Sequence, residues 1–486
     1  MNAVDFSQLS PKNVWQHFAT LCRIPRQSKQ EQQLRQYLQD WAKNKGLDTY
    51  VDVVGNLIIR KPATAGMQHK TAVILQGHLD MVTQANRGTV HDFSRDPIQP
   101  VLENGWLIAP NTTLGADNGI GVALALAVLD ADDIAHGPIE VLLTVDEEAG
   151  MSGARFLEEN VLQGKWLFNI DTEEWGQLYL GCAGSQDIEV EQTLTYVPTD
   201  AELTAVEVQV LGLKGGHSGV DIHLGRGNAN VILAQFLQQH LPELQGHLVE
   251  FSGGTARNAL PREATAKIAL PKSKLAQLDA LLQQAQTDWR EQLKGVDEAL
   301  ELHAQPLDEA VTEVIALEQQ QAWLAALSSC PYGVAQMSQA LPDVVETSNN
   351  IGVVRLNPEQ ASVLIMVRSM VNDELEAHAH RIQQHFEYYG LHSSLAPFVS
   401  GWTPNPESAA LKCLQRAYQD TFQIEPELKV IHAGLECGII AEHYPDLQMV
   451  SFGPDIQGAH APGERVKVDT VEKCWQLLVA ALATVD

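Results

Sequence analysis

Short apolar runs alternate with amphipathic stretches through the first third of the chain. Residues 71–77 (TAVILQG), 139–144 (IEVLLT) and 166–170 (WLFNI) are apolar runs bounded by turn-forming or polar residues. That is the pattern of strands buried on both faces. Ser10-Pro11 predicts a helix running to about residue 21, with the serine as its N-cap and the proline as its first residue. Residues 118–131 are apolar and rich in Ala and Leu, and read as a buried helix. Helices set between short apolar strands predict a doubly wound α/β sheet.

The pattern changes near residue 186. Residues 205–210 (AVEVQV) alternate polar and apolar side chains, and residues 273–294 form a Gln-rich helical stretch. From about 186 to 398 the chain reads as an inserted α+β domain. The α/β style returns from about 399, with a helix predicted at 407–422 and a strand at 447–452 (LQMVSF). With 486 residues the chain exceeds one ordinary core. The expected organisation is one α/β domain split into 1–185 and 399–486, with 186–398 inserted.

Charge narrows the classes of partner. There are 32 Lys and Arg against 61 Asp and Glu, a formal net charge of −29. Such a surface repels phosphate backbones and anionic lipid, so neither nucleic acid nor membrane is an expected partner. The first residues lack a basic segment followed by an apolar one, so no export signal is expected. The longest apolar run, near residues 122–129, is far shorter than the roughly 20 residues of a membrane span. Cys22, Cys182, Cys330, Cys413, Cys437 and Cys474 are scattered, with no CxxC pair. This suggests a cytoplasmic protein without disulfides or a thiolate zinc knuckle; Cys182 and Cys437 read as small buried fillers.

The chemistry lies just beyond the apolar strands. His78-Leu79-Asp80 follows the first, Asp146-Glu147-Glu148 the second, Asp171 the third, and His460 comes a short loop after LQMVSF. Gly115-Ala116-Asp117-Asn118-Gly119 precedes the apolar helix. Ligands of open α/β sheets bind outside the carboxyl ends of the strands. Histidine and carboxylates without cysteine suit Zn²⁺, Mn²⁺ or Co²⁺. His78, Asp117, Glu148, Asp171 and His460 are more than one ion needs, and with one carboxylate bridging they match a two-metal hydrolase site whose ions lie about 3.5–4 Å apart. A bridging water would be the nucleophile. Glu147 and Glu148 can divide the work, one free as general base and one ligating. Asp80 is placed to accept the second ring N–H of His78.

These segments resemble the di-zinc exopeptidase family of aminoacylases, carboxypeptidases and dipeptidases, and most of all its aminoacyl-histidine dipeptidase branch. The resemblance is carried by GHLDMV (77–82), GADNGIG (115–121), TVDEEAGMSGA (144–154), NIDTEEWGQLYLGCAG (169–184), GLKGGHSG (212–219), GNAN (227–230), GGTARNALPRE (253–263) and HAGLECG (432–438). It implies that Asp117 bridges two zinc ions, with cobalt or manganese as substitutes. His78 and Asp171 would complete one site, and Glu148 and His460 the other. Glu147 would be the general base and Asp80 the orienting carboxylate, with a cis peptide between Asp117 and Asn118. Asp at position 171 resembles the branch acting on free amino termini. The inserted domain would be a lid that also dimerises. Its His217 would stabilise the oxyanion, in its own or the partner's site, and Asn258, Arg368 and Gly434 would hold the substrate. Around His460 the chain reads GAHAPGER where the family pattern resembles GPHSPDER, a departure bearing on loop shape rather than ligation.

The expected activity is hydrolysis of unblocked dipeptides of broad sequence, Xaa-His such as β-alanyl-histidine included. An N-acyl amino acid deacylase or desuccinylase would use the same metal site but prefer blocked amines. A non-catalytic metal-binding scaffold would need neither Glu147 nor His217. GHSG at 216–219 lacks the GxSxG nucleophile elbow, and no GxxxxGK[ST] phosphate loop is present. His378, His380 and His385 lack HExxH spacing and read as the solvated face of a helix.

Overall fold

The computed structural model describes residues 4–199, 202–339 and 341–486. The chain divides into two compact units, one made of Met1–Cys182, Trp402–Val430 and Leu435–Asp486, the other of Ala183–Gly401 and Ile431–Gly434.

The first unit is built on an eight-stranded sheet. Its strand order is Asp48–Val51, Leu57–Lys61, Ile139–Thr144, Val73–His78, Trp166–Asn169, Gln448–Ser451, Gln177–Cys182, Glu427–Ile431. The four central strands, Ile139–Thr144 through Gln448–Ser451, run parallel, and the neighbours on either side are antiparallel. The strands at 73–78, 139–144 and 166–169 are buried at every position, as their unbroken apolar runs require of a sheet covered on both faces. The helix Ala116–Asp130 is buried almost all round, and packs into one apolar core with the helices Lys12–Arg23, Ala409–Phe422 and Val468–Thr484. The first of these starts one residue later than its sequence predicts. Pro11 caps the helix rather than opening it, because the Ser10 hydroxyl donates to Glu472 (3.0 Å) instead of capping.

The second unit carries a separate sheet, antiparallel throughout, with the order Glu301–Ala310, Leu203–Leu211, Ala264–Pro271, His247–Gly253, Val345–Leu356, Ala361–Ser369, Gly184–Glu191, His392–Leu395, and with Gly333–Met337 paired to 345–356. Alternating burial along Gly184–Glu191 and Leu203–Leu211 gives it one core face. Helices Ala229–His240, Leu275–Gln292, Leu317–Ser329 and Asn372–Tyr388 contribute to that core. The α/β unit with an inserted α+β unit is therefore the architecture expected of the chain. Among the described residues no helix is long and apolar enough to cross a membrane.

The histidines of Asn372–Tyr388 require a correction. Leu375, His378, Ala379, Ile382 and Phe386 form the buried stripe of this helix, spaced as the inner face of an amphipathic helix must be. His378 is thus inside, its Nε2 2.9 Å from Asn349 Oδ1, and His385 lies 2.9 Å from the Ala326 carbonyl. Only His380 is on the exposed face. Burial, helped by Arg381, pushes the His378 imidazole down from 6.5 to about 4. The unfolded chain then binds a proton that the folded chain refuses, so stability should fall as pH drops from about 6.5 to about 4. In urea titrations across that window, His378→Gln should show a shallower fall than the wild type; equal slopes would remove His378 from the account.

Candidate active site

The parallel register sets the carboxyl ends of three strands side by side, with His78 directly opposite Thr144 and Gln76 opposite Asn169. His78 ends its strand, Glu147 and Glu148 open a short helix just after Thr144, and Asp171 lies two residues past Asn169. Asp146 turns the chain between strand and helix with a left-handed φ of 57°, a conformation that aspartate tolerates better than most residues. Asp117 sits at the start of the Ala116–Asp130 helix, in non-helical conformation, and its peptide bond to Asn118 is cis. Asn118 Nδ2 donates to the Ile170 carbonyl, which ties the Asp117 turn to the segment leading into Asp171. A Cβ at Gly77 would lie 2.2 Å from Asn118 Oδ1, so this close approach requires glycine. His460 is exposed, with φ 63°. It lies between the paired strands Ile456–Gln457 and Arg465–Lys467.

The side chains converge. Asp117 Oδ1 is 3.1 Å from His78 Nε2, and its Oδ2 is 3.2 Å from His460 Nε2. His460 Nε2 is also 2.9 Å from Glu148 Oε2, and His78 Nε2 is 3.5 Å from Asp171 Oδ1. Ligand atoms of His78, Asp117 and Glu148 all fall within 4.8 Å of one another. Glu147 stands slightly apart, its Oε2 4.0 Å from His78 Nε2. Asp80 Oδ1 is 3.4 Å from His78 Nδ1, longer than a good hydrogen bond. The same carboxylate accepts the Glu147 and Glu148 N–H groups (3.0 and 3.1 Å) and the Ser28 hydroxyl (2.7 Å). Asp80 therefore fixes the turn carrying both glutamates as well as facing the imidazole.

This much negative charge calls for a cation. Burial opposes a charged His78, yet Asp171, Asp117 and Asp80 hold its pKa well above 6.5. Hydrogen bonds to Asp117 and Glu148 hold His460 up at about 11. Burial, with Glu436, Glu148 and Asp117 nearby, pushes Glu147 up to about 8. Asp171 is raised well above the usual carboxylate range by burial and by Asp117 and Glu147. Asp171 Oδ1 and Glu148 Oε1 are buried without a hydrogen-bond partner among the described residues. Imidazole nitrogens and orphaned carboxylate oxygens converging in this way fit divalent metal ions.

In the second unit, the pairing of Gly216–His217 with Ala259–Leu260 sets His217 opposite Ala259 and beside the exposed Asn258. Arg368 is buried on the strand Ala361–Ser369. The facing carboxylate of Asp187 is engaged by Arg257 at 2.7 Å. Burial pushes the Arg368 guanidinium down to about 10, a buried cation suited to receiving an anion. Beside Gly434 a Cβ would meet no protein atom within 4 Å.

Several residues at these sites were given no role from sequence. His432 Nε2 lies 2.8 Å from Ser348 Oγ, and burial together with Arg368 and His217 pushes its pKa to about 3. Glu436 accepts from Gln76 and Thr144 (both 2.6 Å). Gln76 in turn receives Asn169, which receives Ser451. One polar residue from each central strand thus joins a buried network behind the site. The available signal was a polar residue inside each apolar run. Glu464, in GAHAPGER, accepts four backbone N–H groups from residues 114–117.

The sheet with its histidine and carboxylate edge suits a metal-dependent hydrolase, and peptidase family M20/M25/M40 matches residues 74–484. The chain belongs to that family. It is 42% identical over 480 residues to the cytosol non-specific dipeptidase of Escherichia coli (strain K12), with 98% of each chain covered. The crystal structure of aminoacylhistidine dipeptidase from Vibrio alginolyticus is 43% identical, covers 99% of this chain and 98% of that one, and superposes with a TM-score of 0.94. Aminopeptidase PepT from Bacillus cereus ATCC 10987, at 17% identity and a TM-score of 0.56, shares the fold. The dipeptidase branch indicated by the motifs is the one named for the Escherichia coli and Vibrio alginolyticus relatives, each of which matches nearly the whole chain.

Proposed function

We propose that this chain is a dipeptidase hydrolysing unblocked dipeptides of broad sequence, Xaa-His included, with two zinc ions per subunit that cobalt or manganese can replace. The carrying observation is Asp117, whose two oxygens face two different imidazoles at 3.1 and 3.2 Å. Such a carboxylate would suit a place between two ions, with His78 and Asp171 able to hold one and Glu148 and His460 the other. The names of the Escherichia coli and Vibrio alginolyticus relatives support the substrate class.

The chemistry such ions supply when bound is polarisation of a carbonyl and acidification of water. Glu147 takes the proton of the attacking water and returns it to the leaving amine nitrogen. Asp80 keeps Glu147 and Glu148 in place through their N–H groups. His217 donates to the oxyanion, Arg368 forks onto the substrate carboxylate, and Asn258 and Gly434 meet its backbone. A cytoplasmic location agrees with the name of the Escherichia coli relative and with six buried, free cysteines. Homodimerisation through the inserted unit follows from the family resemblance.

The test is a dipeptide panel, each member with a free and an acetylated amino terminus, given to zinc-loaded and chelator-stripped protein. Zinc-dependent cleavage of the free members is expected, with the acetylated members inert. Cleavage confined to acetylated members would make the protein a deacylase, and would overturn the inference from Asp171.

A further inference from the structure

We propose that Glu464 is a positioning residue that sets the metal-bridging aspartate, by locking the Asp117 turn to the segment that carries His460. This rests on the reading of Asp117 and His460 as metal ligands.

Glu464 is 2% exposed. Its Oε2 accepts the N–H groups of Leu114 (2.7 Å) and Gly115 (2.9 Å), and its Oε1 those of Ala116 (2.7 Å) and Asp117 (3.3 Å). The first N–H groups of a helix have no partner within it, and a carboxylate is favoured there. An ordinary N-cap comes from the adjoining chain. This one arrives from 347 residues away, four residues after His460.

The two segments are stitched at further points. Ala109 N–H donates to the Glu464 carbonyl (3.1 Å), and Gly463 N–H donates to the carbonyls of Ala109 (3.0 Å) and Thr112 (3.1 Å). The strand Arg465–Lys467 pairs with Trp106–Ile108. On the other side of the turn, the buried Arg26 donates to the Gly115 carbonyl and, through Nη1, to the carbonyls of Leu79 (3.1 Å) and Asp80 (2.8 Å). The Asp117 turn is therefore held by its N–H groups to the His460 segment and by a carbonyl to the end of the His78 strand. Glu464 is the only one of these ties that reaches the Asp117 backbone itself. Moving that backbone would displace a carboxylate facing both imidazoles.

Glutamine at 464 keeps the shape but points an amide N–H₂ at backbone donors. Zinc affinity of the purified metal-free protein, read by competition with a chromophoric chelator, should weaken about 10–100-fold in Glu464→Gln. At saturating cobalt its visible absorption bands should move from those of the wild type, a change that loss of stability alone does not cause. Ser408→Ala removes the cap of the remote helix Ala409–Phe422, and should lower the thermal midpoint without altering zinc affinity. If Glu464→Gln does not fold, Glu464→Asp, with its charge kept and its reach shortened, takes the same two measurements. A lowered midpoint with unchanged zinc affinity and cobalt spectrum would reduce Glu464 to a helix cap and overturn the proposal. Wild-type protein that binds no zinc would instead overturn the metal-site reading beneath it.

Discussion

Glu147→Gln is expected to lower kcat by about 10²–10⁴-fold, the usual worth of a positioned general base, while zinc content and KM stay close to wild type. The adjacent glutamates are separated by what they face. Glu148 Oε2 is 2.9 Å from His460 Nε2, whereas Glu147 comes no nearer than 4.0 Å to His78. Both backbone N–H groups are pinned by Asp80, so the side chains leave a fixed turn in different directions. Burial and the carboxylates of Glu436, Glu148 and Asp117 raise the Glu147 pKa, and the positive charge of ions held beside it would lower it again, leaving the carboxylate free to take the water proton. Glutamine preserves volume and the hydrogen bonds of the turn but cannot accept that proton. Glu148→Gln should behave differently, losing metal along with activity. Metal analysis beside steady-state kinetics separates the two variants. An unchanged rate in Glu147→Gln, or loss of zinc equal to that in Glu148→Gln, would end its assignment as the base.

The strands of the first unit were legible because burial on both faces leaves an unbroken apolar run. The segment 139–144 is a strand with the bounds its sequence predicts, and 71–77 shifts only to Val73–His78. The His78, Glu148, Asp171 and His460 cluster was legible for a related reason, since a parallel sheet delivers whatever follows its strands to one edge. Residues acting through the backbone left no such trace. Glu464 is one acidic residue in a loop, and its four N–H partners lie in a segment remote in sequence. Glu436, Gln76, Asn169 and Ser451 meet only when four strands are in register. His378 is buried by its helical spacing within the Leu375–Ile382–Phe386 stripe, which outweighs the polarity of its side chain. Pro11 stands at the cap and not at the first helical residue, the Ser10 hydroxyl being engaged by Glu472 across 462 residues, a contact no local pattern announces.

His217→Ala should reduce kcat by about 10²–10³-fold, the loss seen when one oxyanion donor is removed, with zinc affinity unchanged. His217 Nδ1 accepts the N–H groups of Gly219 (3.1 Å) and Val220 (3.0 Å). A nitrogen that accepts twice carries no proton, so the ring proton is on Nε2, which is left to donate. Burial and the neighbouring Arg368 push the imidazole below 6.5, keeping it neutral near pH 7. A neutral donor loses little energy when the substrate is uncharged and gains as charge develops on the oxygen, which places its effect in kcat rather than KM. The backbone supports this orientation: His217 N–H donates to Asp221 Oδ2 (2.8 Å), and the strand pairing with Ala259 holds the residue from the other side. His217→Gln can present an amide N–H and should recover part of the rate. Arg368→Ala should instead raise KM, since it would remove a contact made equally to substrate and transition state. Kinetics of the three variants on one unblocked dipeptide decide the matter. A His217→Ala enzyme with wild-type kcat and raised KM would make His217 a substrate-binding residue and leave the oxyanion without this donor.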